Sequence, residues 1–239
     1  MPFCPTPSLD RRSLLRMSLL VTGSVLADGC VPDVSEPDRT ARSRPTAPAG
    51  VDPVLFAQAV QALHEHGADI PRQDRIGIAD FSLFSAAPRF HLIDLRHGTA
   101  HTLRVTHGSG SDPAHTGFLQ HFSNRSGSNA TSRGVYRTDD YYTGEHGRSQ
   151  RLTGLDPTND NAMDRAIVIH AAWYAEPEMI AQHGKLGRSQ GCFAVAEADL
   201  DTVFAVLGQG RMLYAGRGER ARSVQPAGAP ELSPLHRRT

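Results

Sequence analysis

The 239-residue chain has no excess of charge: 25 basic side chains balance 25 acidic ones. No global field therefore argues for a nucleic-acid partner. Cysteine is scarce, with only Cys4, Cys30 and Cys192. The first two fall in a segment that reads as a targeting signal, and its removal leaves Cys192 without an intrachain partner, which excludes a disulfide framework. The apolar run from Met17 to Ala27 holds eleven residues, too few for a spanning helix of about 20. Two ligand signatures are incomplete as well. His107-Gly108-Ser109-Gly110-Ser111 lacks the Gly-Lys-Ser/Thr ending of a phosphate-cradling loop, and no helix opens directly after it. Asp156, Asp160 and Asp164 lack the glycine and distal glutamate of a calcium loop. No metal and no other cofactor is implied.

What is present divides into four parts. Residues 1–30 carry a charged start, Asp10-Arg11-Arg12-Ser13-Leu14-Leu15-Arg16, and then the short apolar run, which suits an export signal. Arg11-Arg12 with its following leucines is similar to a twin-arginine signal. Ala27-Asp28-Gly29-Cys30 resembles a lipoprotein cleavage box, so Cys30 is a candidate for lipidation and a membrane anchor; the plainer reading is a cleaved signal with Cys30 incidental. Residues 31–50, rich in Pro, Ser, Thr, Arg and Asp, cannot repay their ordering entropy and read as a flexible tether. Residues 51–216 hold enough apolar side chains for one core. From Arg217 to Thr239 the composition predicts a disordered tail.

Within the body, Asp52-Pro53 reads as N-cap and first helical position, with Leu55, Phe56, Ala59, Val60 and Leu63 at helical spacing up to Gly67. Strand signals follow at 75–83, 89–95 and 99–106, the last two joined as a hairpin through His97-Gly98. From His115 to Gly154 the chain is polar and reads as a long loop with short strands at Gly134-Val135-Tyr136 and Tyr141 to Gly144, forming a wall or lid. Leu200, Val203, Phe204 and Leu207 mark a helix ending at Gly208, and Met212 to Ala215 reads as a closing strand. The expected body is mainly β with a few helices, its strands mostly antiparallel.

The chemistry concentrates at Gly187-Arg188-Ser189-Gln190-Gly191-Cys192, followed by Phe193-Ala194-Val195. Cys192 should sit at the start of a strand, and Gly191 allows a tight turn on which backbone N–H groups converge. A free thiol titrates at about 8.5, so it needs a base or a cation beside it. His170, at the end of the strand-like run from Arg165, is the candidate base, and the two meet if their strands are neighbours. A buried inert cysteine and a structural histidine are the bland readings of the same two residues.

Ile167-Val168-Ile169-His170 followed by Gly187 to Cys192 resembles the L,D-transpeptidase catalytic (YkuD-like) signature, more closely its murein branch in Gram-negative bacteria. The likeness extends over about residues 51 to 216, through Asp80-Phe81-Ser82, His107 to Ser111, Gly134-Val135-Tyr136 and Gly144-Glu145-His146-Gly147. It departs at Gln190, where a histidine or similar residue is usual, and at Phe193-Ala194, where many relatives have Pro-Ala or Ile-Arg. The resemblance implies a β-sandwich or barrel with mixed, mostly antiparallel sheets, and catalysis by Cys192 and His170. It places Gly191, Ser189, Arg188 and Gln190 in the oxyanion motif, with Arg188 a source of positive charge lost elsewhere in the motif. It makes Tyr136, His146, Gly147 and His107 candidates for the substrate groove, and the carbonyl of Ala171 the orienter of His170. The implied partner is the peptidoglycan stem peptide, in the periplasm. A trimming carboxypeptidase, an exported cysteine peptidase of the sortase kind and an inert wall-binding lipoprotein are the rival readings.

Overall fold

A computed structural model of the chain describes residues 45–219. The expected signal with Cys30, most of the tether and the tail beyond Glu219 lie outside the described residues. Helix α1 (Pro53–Glu65) opens as predicted on Asp52, whose carboxylate accepts the N–H groups of Val54 (3.0 Å) and Leu55 (2.9 Å). Eight strands follow, with two more helices among them: β1 (Arg75–Asp80), β2 (Phe90–Asp94), β3 (Thr99–Leu103), β4 (Gly134–Gly144), β5 (Gly147–Gly154), β6 (Val168–Ala171), α2 (Pro177–His183), β7 (Phe193–Val195), α3 (Glu197–Val206) and β8 (Met212–Gly216).

The strands form one sheet in the order β3-β2-β1-β8-β4-β5-β6-β7. All pairings are antiparallel except β1 with β8 and β6 with β7. The sheet curls until the chain leaving β3 meets the opposite edge: Thr106 N–H donates to the Ala194 carbonyl (2.9 Å), and Ser189 N–H to that of His107 (3.0 Å). The result is the mixed, mostly antiparallel β body that the resemblance implied.

Period-two alternation sorts the strands into two cores. Ile76, Ile78, Met212 and Tyr214 face α1, where Leu55, Phe56, Ala59 and Leu63 cover them. Ala79, Leu213 and Ala215 point the other way, to Phe81, Phe90, Tyr136, Leu152, Ile169, Phe193 and the α3 residues Leu200 and Val203. Each large apolar side chain sealed in this way contributes about 1.5–3 kcal/mol.

Three expectations need correction. The polar stretch from His115 to Gly154 is a loop only in its first half; the second half is the long β4–β5 hairpin at the centre of the sheet. Its inward positions are partly polar and bonded across the fold, which hides the strand pattern: Thr138 Oγ1 donates toward the Gly208 and Arg211 carbonyls, and Gln150 Nε2 to the Leu207 carbonyl (2.9 Å). The body also begins before residue 51, since Pro48 is buried and Ala47 packs on the α1 core. It ends later than residue 216, because Asp80 accepts the Gly218 N–H (2.9 Å) and Asp52 that of Glu219 (3.1 Å).

One buried polar cluster fixes the chain between β3 and the opposite edge. Arg89, fully buried, donates to the carbonyls of Val105 (3.0 and 2.9 Å) and Leu83 (2.8 Å) and to His107 Nδ1 (2.8 Å). His107 Nε2 is then the protonated nitrogen and faces Asp112 at 3.4 Å. Burial, with the Arg89 charge behind it, holds the His107 imidazole neutral down to a pKa of about 3, so its contact with Asp112 is a hydrogen bond of a neutral ring. The unfolded chain protonates this histidine at about 6.5. Stability is therefore complete above pH 6.5 and falls as pH drops toward 3, by up to about 1.4 kcal/mol per unit from this group. Melting curves across pH 4–7 should show the slope in the wild type and a shallower one in His107→Gln; equal slopes would refute the assignment.

Candidate active site

β6 and β7 lie side by side and parallel, with Ile169 opposite Phe193 and His170 opposite Ala194. Ile169 and Phe193 enter the core. Alternation then turns His170, and Cys192 immediately before β7, to the other face. Val168 is level with Cys192 in this register, so the histidine stands diagonally one step along on the neighbouring strand, within reach for a long side chain. Both line one cavity of 510 Å³, together with Arg165, Tyr174, His146, Glu145 and Gln190.

The imidazole is oriented by its own strand. His170 Nδ1 lies 2.9 Å from the carbonyl oxygen of Ala171, which is the carbonyl singled out in the sequence. A carbonyl only accepts, so the proton sits on Nδ1 and Nε2 keeps its lone pair. His146 stacks on the ring at 4.5 Å and 20°, and Tyr174 meets it edge-on at 6.4 Å. Burial pushes the His170 pKa down, the Ala171 bond partly restores it, and the neighbouring His146 pushes it down again. The balance of these effects favours the neutral ring.

Cys192 is 8% exposed, and its sulfur lies 3.5 Å from the Ala166 carbonyl. Burial raises the thiol pKa, against the hydrogen bond of the Val168 backbone and the charge of Arg165, which both lower it. The turn before it depends on Gly191, at φ +116°, where a Cβ would come within 2.7 Å of the Ala130 carbonyl and of Ile167 Cδ1. Ser189 closes the same turn: its hydroxyl donates to the Cys192 carbonyl (2.7 Å) and accepts the Gly191 N–H (3.1 Å).

These contacts redistribute the predicted roles. The Gly191 N–H is spent on Ser189, so both residues shape the turn and neither offers a free donor to an oxyanion. Arg188 lines the cavity, yet its guanidinium is bound to the carbonyls of Asp112 and Pro113. Gln190 is exposed on the cavity wall. Tyr136 and His107 are fully buried and touch no groove: the tyrosine hydroxyl donates to the Ser132 carbonyl (2.9 Å), and its ring packs edge-on against Phe193 at 5.3 Å. Gly147 is exposed at the hairpin tip and lies outside the cavity lining, whereas His146 beside it belongs to that lining.

Sequence reasoning missed Arg165 and Tyr174. Arg165 opens the very run that ends in His170, and its guanidinium binds the Ser123 carbonyl (3.0 Å), Ser132 Oγ (2.6 Å) and the Ala130 carbonyl (2.5 Å). Tyr174 belongs to a 3-10 turn, Trp173–Ala175, and a Cβ on Gly187 would lie 2.5 Å from the tyrosine Cβ. The signal for it was therefore the first glycine of the cysteine motif. A second cavity of 490 Å³ lies near Phe81, Phe122, Arg133 and Arg217. There Arg217 already holds the Leu119 carbonyl and lies 5.5 Å from the Phe122 ring centre, and Glu219 shares the lining.

A family model described as the L,D-transpeptidase catalytic domain matches residues 48–215, and the chain belongs to that family. Solved structures similar to it include an L,D-transpeptidase from Mycobacterium smegmatis, at 13% identity and a TM-score of 0.37, with 60% of this chain and 58% of that one covered. L,D-transpeptidase 3 from Mycobacterium tuberculosis, in complex with a faropenem-derived adduct, is 12% identical with a TM-score of 0.39 and 60% of each chain covered. The helical cell shape determining protein Pgp2 from Campylobacter jejuni is 13% identical with a TM-score of 0.39, over 61% of this chain and 48% of that one. The chain thus spans between about half and three fifths of these relatives' lengths. Comparison with curated proteins gave no match.

The turn geometry generates a direct expectation. Gly191→Ala should lose at least about 1–3 kcal/mol through strain and the clash with Ala130, and should slow alkylation of Cys192 in whatever fraction remains folded. Wild-type melting behaviour together with wild-type alkylation would show that the turn does not depend on this glycine.

Proposed function

We propose that the protein is a peptidoglycan L,D-transpeptidase in which Cys192 is the nucleophile and His170 the base. The observation that carries this reading is the parallel β6–β7 register, which brings an Nδ1-anchored imidazole and a thiol to one open cavity in a chain of the L,D-transpeptidase family. The thiol proton passes to His170 Nε2, and the sulfur adds to the carbonyl carbon between the third stem residue and its terminal D-alanine. Collapse breaks the C–N bond, His170 returns the proton to the leaving amine, and D-alanine departs from a thioester. An amine of a neighbouring stem or lipoprotein then attacks the thioester carbonyl, its proton goes to His170, and the thiolate is released. Water in place of the amine gives the trimming carboxypeptidase of the same site.

The Cys192 backbone N–H and a donor on the cavity wall would hold the acyl oxyanion. The Gln190 side-chain amide, exposed on that wall, is the candidate second donor in place of the Gly191 N–H. The reading includes export to the periplasm and an anchor through lipidated Cys30, supported by the signal-like residues 1–30. The burial of the sulfur favours one rival, an inert wall-binding lipoprotein.

Intact-mass spectrometry after incubation with a carbapenem should show one covalent adduct, located at Cys192 by peptide mapping and absent from Cys192→Ala. Tetrapeptide muropeptides should lose D-alanine with the wild type only, and His170→Gln should slow that release by roughly 10²–10⁴-fold. A wild-type protein that forms no adduct and turns over no tetrapeptide while still binding isolated walls would establish the inert binder instead.

A further inference from the structure

We propose that Arg165 is the positioning residue whose charge poises the Cys192 thiolate, a role that rests on Cys192 being the nucleophile. The guanidinium lines the same cavity as the sulfur, and its Nη2 would lie 3.1 Å from a Cβ at Gly191, the residue preceding the nucleophile. All three of its hydrogen-bond acceptors are uncharged, two carbonyls and one hydroxyl. Among the described residues it makes no ion pair: the arginines paired with carboxylates are Arg75, Arg137, Arg148, Arg151 and Arg211. No carboxylate is therefore paired directly with its charge at the place where a buried sulfur must become negative.

The backbone delivers it there. Ala166, next in the chain, holds the left-handed conformation at φ +51°, unusual for a residue with a side chain. That reversal sends the Arg165 side chain to the wall at Ser123, Ala130 and Ser132, while the Ala166 carbonyl receives the thiol. Residues 193–195 are Phe, Ala and Val, so β7 offers no cation of its own. Arg188, the replacement suggested by the motif, is turned to the Asp112 and Pro113 carbonyls. Arg165 arrives instead from the strand that carries the base.

The other ionisable groups around the sulfur are His170 and, from the 3-10 turn, Tyr174, with His146 and Glu145 at the hairpin tip, Asp164 beside Arg165, Arg188 on the motif loop and Tyr136 buried on β4. Of these charges only that of Arg165 lowers the thiol pKa, against the larger effect of burial. Its hydrogen bonds also hold the wall segment 123–132, so a charge role has to be separated from a bracing role.

The pH profile of Cys192 alkylation by iodoacetamide separates them without any transpeptidase substrate. Arg165→Gln should move the midpoint up by about one pH unit, an approximately tenfold slower reaction below the midpoint. Arg165→Lys should restore most of it, and Ser132→Ala, which removes one brace and keeps the charge, should leave it in place. Should Arg165→Gln fail to fold, Arg165→Lys decides: its midpoint stays with the wild type if charge is the agent and moves up if the planar bonding is. An unchanged profile in Arg165→Gln, or an equal shift in Ser132→Ala, overturns the proposal. A carbapenem adduct with no shift in Arg165→Gln sinks the arginine role alone, whereas the shift without adduct or turnover sinks the transpeptidase reading alone.

Discussion

The parallel pairing of β6 with β7 is the constraint on which everything at the site depends. With Ile169 level with Phe193, both side chains enter the core, and the histidine and the cysteine are left on the opposite face. A slip of one residue would turn the cysteine or the histidine into the apolar core in place of its neighbour. The register is held on the core side by Phe193, whose ring lies 6.2 Å from Phe81 and 5.3 Å from Tyr136. It is held at the edge by the Thr106 N–H, which ties Ala194 to the chain leaving β3. Parallel strands also require a long crossover. Here residues 172–192 provide it, bringing both Tyr174 and the cysteine motif to the site.

The turn before the nucleophile is fixed from three directions by buried polar groups. The Arg89 cluster anchors His107, whose carbonyl accepts the Ser189 N–H; the Ser189 carbonyl in turn accepts the Ser109 N–H at 2.7 Å. Gly191 presses on the Ala130 carbonyl, which Arg165 also binds. Ser189 closes the turn with its own hydroxyl. Each bond contributes only about 0.5–1.5 kcal/mol net, but leaving any of these buried partners unmet costs more than the bond itself contributes. The network therefore specifies one geometry more than it adds stability, which is what a reacting atom needs from its supports.

The sequence disclosed the parts of this site that are local. Asp52-Pro53 marks a helix start because cap and first-turn chemistry act over three residues, and Ile167 to His170 marks a strand because its apolar run is unbroken. The Ala171 carbonyl was foreseeable because it follows His170 directly. The β4–β5 hairpin was obscured because its buried Thr138 and Gln150 find partners far along the chain. Tyr136 and His107 looked like groove residues for the same reason: a polar tip in the sequence does not say whether Ser132 or Arg89 already holds it. Arg165 was invisible in its role because the turn at Ala166, not its position in the run, sends the side chain to the cysteine.

Burial acts on both members of the pair toward neutrality, raising the thiol and lowering the imidazole. Proton transfer between them creates two charges where there were none, so it needs partners for each. The imidazolium has the Ala171 carbonyl, and the thiolate has the Val168 backbone and Arg165. At rest, the neutral pair gives oxidants little thiolate to attack. Under the proposed chemistry an acyl substrate in the cavity would meet the same thiol with the imidazole alongside, and the anion would form at the moment of attack.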